Sequence, residues 1–111
     1  MRDDQTRVLV SDWKTIKQFI PVDPQAEEQG LTPRFGWVTD NLRIKYGIYV
    51  EARPVTNSEL SQEGPSQAVY GFKGTAIYLK DSIVYKNFTI SKSTYFAAIR
   101  EAINKAIEWV K

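Results

Sequence analysis

The stretch DNLRIKYGIYVEAR, residues 40–53, decides how the fold is read. Leu42, Ile44, Tyr46, Ile48, Val50 and Ala52 alternate with Arg43, Lys45, Gly47, Tyr49, Glu51 and Arg53. That is the period of two that sends successive side chains to opposite faces of a half-buried strand. Asp40-Asn41 stands just before it, and both residue types tolerate positive φ. The stretch therefore predicts a tight hairpin that pairs Thr39 with Leu42, Trp37 with Ile44 and Phe35 with Tyr46. In that register Trp37 and Phe35 share a face with the isoleucines, so turn chemistry and side-chain pattern agree.

Strand character returns after this hairpin, from Val69 to Leu79 and from Ile83 to Ile90. A turn at Lys80-Asp81 pairs Ile77 with Val84 and turns Ile77, Leu79, Val84, Phe88 and Ile90 inward. Tyr70 and Phe72 fall on the other parity, which predicts a bulge at Lys73-Gly74. From Ser93 to Lys111, Phe96, Ile99, Ile103, Ala106, Ile107 and Val110 recur at helical spacing and form one apolar stripe. Ser93 or Thr94 is placed to cap that helix, and Arg100, Glu101, Asn104, Lys105 and Glu108 occupy its wet side. Nearer the N-terminus, Trp13, Ile16 and Ile20 predict a short amphipathic helix between Ser11 and Ile20 that stops before Pro21. Val8 to Val10 either extend it backward or form a brief strand.

Two polar stretches separate these elements. Residues 21–33 hold three of the chain's five prolines together with Gly30, and they read as a loop with a helical turn at Gln25 to Gln29. Residues 54–67, with Gly64-Pro65 and few apolar side chains, read as a second long loop. The expected architecture is α+β: a four-stranded antiparallel sheet of two hairpins, packed by a long C-terminal helix and accompanied by a short N-terminal helix. At 111 residues this is one domain, 1–111, with one core.

Composition narrows the function. Apolar content of 42% and aromatic content of 13% fit a folded globule, and no apolar run approaches the length of a membrane span, so no membrane partner is expected. Arg2, Asp3 and Asp4 near the start, with no apolar run after them, argue against a secretory signal and make the cytoplasm the expected location. The chain has neither cysteine nor histidine. Disulfides, thiolate and imidazole metal sites, serine triads and histidine bases are thereby excluded, and no glycine loop has phosphate-cradling spacing. Glu27 and Glu28 come nearest to an acid pair, but adjacent glutamates in a loop read as solvated charge. The expectation is a non-enzymatic protein without a cofactor.

Net charge is only +2, but it is unevenly distributed. Arg34, Arg43, Lys45, Arg53, Lys73, Lys80, Lys86 and Lys92 fall in the predicted hairpins, whereas Asp23, Glu27, Glu28, Glu59 and Glu63 fall in the loops. The alternation that buries the isoleucines turns Arg43, Lys45, Tyr49 and Arg53 outward on one hairpin and Tyr78, Lys80, Ile83 and Tyr85 outward on the other. Cations interleaved with tyrosines suit single-stranded nucleic acid, with bases stacking on rings and phosphates meeting the cations. Tyrosine is also an ordinary strand former, and the N-terminal helix could cover this face. A protein-binding role, as an inhibitor, immunity or adaptor protein acting through the acidic loops or the same face, is the alternative.

Phe72-Lys73-Gly74, a strand ending in Phe88-Thr89-Ile90-Ser91, and a long amphipathic helix with Tyr95 or Phe96 followed by Ile99 resemble the positive transcriptional coactivator family, whose fold is related to that of whirly proteins. The resemblance covers about residues 70–110. It implies antiparallel strands followed by a helix, a homodimer, and binding of single-stranded DNA through basic and aromatic strand residues. Lys73, Lys80 and Lys86 would then be phosphate contacts, with Tyr78 and Tyr85 as stacking partners. The N-terminal third has no counterpart in that pattern, and the 54–67 loop is longer than it requires.

Overall fold

The computed structural model describes residues 6–56 and 69–111. In chain order the elements are α1 (Val10–Ile16), α2 (Pro24–Glu28), α3 (Phe35–Tyr46), β1 (Ile48–Thr56), β2 (Val69–Lys80), β3 (Ile83–Lys92) and α4 (Tyr95–Val110). The class is α+β, but the antiparallel sheet has three strands, in the order β1-β2-β3, rather than four.

The difference lies in the stretch 40–53. Its first half is helix, and the alternation that imitates a strand there is a coincidence of two periods. Phe35, Val38 and Leu42 are buried at i, i+3 and i+7, whereas Ile44, which a strand would have buried, is 72% exposed. Gly47 marks the change. It lies in the left-handed region at φ 73°, and its N–H bonds the Arg43 carbonyl at 3.0 Å, closing α3 so that β1 starts one residue later. Asp40-Asn41 is therefore a helical dipeptide. Asn41 donates to the Trp37 carbonyl at 2.8 Å.

The remaining expectations divide. α4 runs where its stripe predicts, with the Thr94 hydroxyl accepting from Ala97 N at 3.1 Å as N-cap. Its buried face also takes in Ala98 and Ala102, small residues that the stripe of large side chains passes over. α1 is shorter than the expected helix and leads through turns to the buried Ile20. Upstream, Arg7 bridges Arg34 and Val8 N bonds the Pro33 carbonyl at 3.0 Å. The 21–33 segment contains α2, capped by Asp23. Pro54 belongs to β1, where it faces Phe72 on an edge strand that tolerates its missing N–H. Val55 and Thr56 of the predicted second loop also belong to β1, and its remaining residues, 57–67, lie outside the described residues.

In the β2–β3 hairpin the turn lies one residue later than expected, which moves the pairing by two residues and exchanges no faces by itself. The turn is Asp81-Ser82, at φ 53° and 65°, the two positive values of a type I′ turn, and it pairs Leu79 with Val84. Beyond Tyr78/Leu79 an irregularity leaves Tyr85 with no facing residue and changes the parity of the rest of β3, so Phe88 and Ile90 lie opposite Ala76 and Gly74 on the side of α4. α4 packs on the Gly74 and Ala76 side of β2, so Ile77, Leu79 and Val84 point away from it and Tyr78 points towards it. No bulge occurs at Lys73-Gly74; the register irregularities fall at Val55/Thr56 and Tyr78/Leu79.

What Gly74 provides is space. A Cβ there would collide with the carbonyl oxygen of Ala98, so α4 rests almost backbone to backbone on the central strand. Above this contact Ile16, Phe35, Val38, Leu42, Ile48, Ile99, Ile103 and Ile107 form the buried cluster that unites α1, α3, α4 and the sheet. Arg100 Nε donates to Asp12 at 2.7 Å, tying α4 to α1 and holding the guanidinium pKa above its ordinary value. α4 covers one face of the sheet, and α3, beside β1, also borders the other face through Thr39, Asp40 and Arg43. The molecule is only 18 Å thick at its thinnest, enough for one sheet and one helical layer. No helix among the described residues is long and apolar enough to cross a membrane.

The helical assignment of Phe35–Tyr46 makes a sharp prediction. Ile44→Lys should change the urea unfolding free energy by no more than about 0.5 kcal/mol, whereas Leu42→Ala should cost about 2 to 5 kcal/mol. A strand would make Ile44→Lys the more damaging change.

Candidate ligand-binding sheet face

α4 packs on one side of the sheet, the other side is bordered by α3 only at the Tyr49 end, and strand parity with the observed register arranges its side chains in rows. At one end Leu79 and Val84 face each other; next come Tyr49, Ile77 and Asn87; then Glu51, Thr75 and Thr89; and last Arg53, Lys73 and Ser91. The surface passes from apolar through hydroxyl-bearing to cationic along the strands. Arg53 and Lys73 are direct cross-strand partners, an arrangement of like charges that is unfavourable by itself.

The apolar end is hollow. Thr39, Asp40 and Arg43 of α3 overhang Tyr49, Glu51, Ile77, Leu79 and Val84, enclosing a cavity of about 500 Å³ within the size range of small-molecule sites. Tyr49 is 47% exposed and Val84 52% exposed. Arg43 stands 3.8 Å from Asp40, an exposed helix pair of the kind that contributes little. Among the described residues Glu51 takes part in no ion pair.

The nine cation and tyrosine positions expected to form one surface are thus divided. Tyr49, Arg53 and Lys73 share the uncovered face. Arg43 and Lys45 sit on α3, where Lys45 Nζ donates to the Phe19 carbonyl at 2.9 Å and is occupied with structure. The Tyr46 hydroxyl bonds the same carbonyl at 2.7 Å.

Tyr78, Lys80, Tyr85 and Lys86 gather on the helix side, at the turn end of the β2–β3 hairpin. The Tyr78 ring stacks on Trp109 with centroids 6.2 Å apart and meets Tyr85 edge-on at 5.5 Å. Lys80 Nζ lies 4.2 Å from the Tyr85 centroid and Lys86 Nζ 5.5 Å from it. Two of the expected stacking rings are consequently already in contact with cations and with each other. Trp109, which the apolar stripe places only beside the buried face, anchors this cluster to α4.

Sequence reasoning missed Thr75, Thr89 and Ser91, because hydroxyl residues become a row only when the register is known. It counted Ile77, Leu79 and Val84 as core because alternation groups them on one face without showing that α4 covers the other. Glu27 and Glu28 are exposed on or beside the short α2. No cluster of three or more metal-ligating side chains occurs among the described residues. The chain matches no family model, no curated protein and no solved structure.

The two aromatic groups should respond differently to truncation. Tyr78→Ala, which removes the partner of Trp109, should lower unfolding free energy by about 1 to 3 kcal/mol and shift tryptophan emission. Tyr49→Ala should stay within about 1 kcal/mol of wild type in the same urea titration.

Proposed function

We propose that the protein is a small non-enzymatic binding module for single-stranded nucleic acid, and that the uncovered face of the sheet is its binding surface. The observation that carries this reading is the Arg53–Lys73 pair, two cations held opposite each other on the same face as an exposed tyrosine. Two adjacent cations suit phosphate oxygens, and the neighbouring hydroxyls of Thr75, Thr89 and Ser91 add donors for them. Tyr49 supplies a stacking ring about 13 Å from Arg53, four strand residues away, so a ligand spanning both is longer than one nucleotide. The basic cluster of Lys80 and Lys86 at the hairpin end adds long-range attraction on the opposite side of the sheet.

Oligonucleotide affinity should therefore fall as salt rises, with a slope near −0.7 for each phosphate contacted. Arg53→Ala with Lys73→Ala should flatten that slope, and Tyr49→Ala should weaken binding by about 1 to 3 kcal/mol without changing it. Fluorescence anisotropy at two or more salt concentrations measures both. Absence of binding at low salt rejects the reading.

A second reading, a protein-binding inhibitor, immunity or adaptor protein, is favoured by the edge strand β3. Ile83 is 70% exposed and Tyr85 54% exposed, on a strand that among the described residues pairs only with β2. An edge of this kind is open to strand addition, including by a second copy of the chain, which would give a homodimer. In this reading sedimentation velocity shows association that Val84→Lys abolishes; association that survives Val84→Lys excludes an interface at this edge.

A further inference from the structure

We infer that the cavity beneath α3 is a base-selective subsite, which rests on the nucleic-acid reading above, and that Glu51 gives it a preference for bases bearing an exocyclic amino group. The cavity has an aromatic wall in Tyr49 and an aliphatic floor in Ile77, Leu79 and Val84, which suits a flat, weakly polar ring. Its volume of about 500 Å³ leaves room for a base and the sugar that links it to the chain.

The polar groups of its rim are unevenly matched. The Thr39 hydroxyl donates to the Gly36 carbonyl at 3.2 Å, and Asp40 and Arg43 face each other at 3.8 Å, so both rim elements on α3 have neighbours. Glu51, on the strand wall, has no ion-pair partner among the described residues. An ionised carboxylate only accepts hydrogen bonds. A base that enters this cavity is therefore favoured when it presents an N–H₂ group, as cytosine and adenine do. It is disfavoured when it presents carbonyls on either side of a single N–H, as thymine does.

The position of Glu51 strengthens the assignment. It lies on the same face as Tyr49 and Arg53, two residues from each, or about 6.6 Å along the strand. A base on the Tyr49 side can thus reach the carboxylate while its phosphates continue towards Arg53 and Lys73. The carboxylate would otherwise only weaken a phosphate-binding face, and a contact with an amino group gives it a role there.

The test is competition between oligonucleotides of about eight nucleotides containing only deoxycytidine or only thymidine, at neutral pH and low salt, with wild type and with Glu51→Gln. Wild type should prefer the cytidine chain by about tenfold. Glu51→Gln keeps the side-chain shape but offers both a donor and an acceptor, and it should bring the ratio close to one by weakening cytidine binding and strengthening thymidine binding. Equal affinity of wild type for the two chains, or an unchanged preference in Glu51→Gln, overturns the subsite while leaving the nucleic-acid reading intact. No binding of either chain overturns both. Because Glu51 is exposed on an edge strand, the variant should fold as wild type does, which its urea midpoint checks.

Discussion

The structure depends on one close approach, that of α4 to the central strand at Gly74. With no Cβ at Gly74 and only methyl groups at Ala98, Ala102 and Ala106, the helix settles onto the sheet, and Ile99, Ile103 and Ile107 reach sideways into the space shared with α1 and α3. A larger side chain at Gly74 would lift the helix and open that space. The contact also makes the two sheet faces unequal, since one is filled by helices and the other receives whatever the strands turn away from them. All the chemistry proposed for the protein follows from that inequality.

The C-terminal half was legible in the sequence and the middle was not, for a reason visible in particular residues. α4 carries its period across sixteen residues, long enough to be unambiguous. Leu42, Ile44 and Tyr46 satisfy a strand by chance, because a helix that buries Phe35, Val38 and Leu42 can still carry an exposed isoleucine at the right place to complete an alternation. The informative residue was Gly47. Read as a strand residue it is neutral, but read as a helix C-cap it ends one element and begins another.

The candidate site was legible as residue types and illegible as a place. Tyr49 and Arg53 could be nominated from alternation and Lys73 from the family resemblance, and the three share a face. Tyr78 and Tyr85 fall on the helix side instead, because α4 packs on the Gly74 side of β2 and Tyr85 is the extra residue of an irregularity in the β2–β3 pairing. Asp81 and Ser82 both adopt positive φ, a conformation that glycine or asparagine would have announced. With α4 on the Gly74 side, the aliphatic side chains expected in the core become the floor of a cavity, and the tyrosines expected at the surface pack at Trp109.

Gly47 has a further effect, on the order in which the molecule assembles. It is the sole residue between α3 and β1, so the overhang of the cavity and its strand wall are neighbours in sequence as well as in space. Contacts of this kind close almost no chain loop, and they are available early, before the long-range pairing of β1 with β2 has formed. The glycine thus acts as a short, sharply bent joint that fixes the angle between the two walls. A substitution there would alter the mouth of the cavity and its rate of formation together, at a position that touches no ligand.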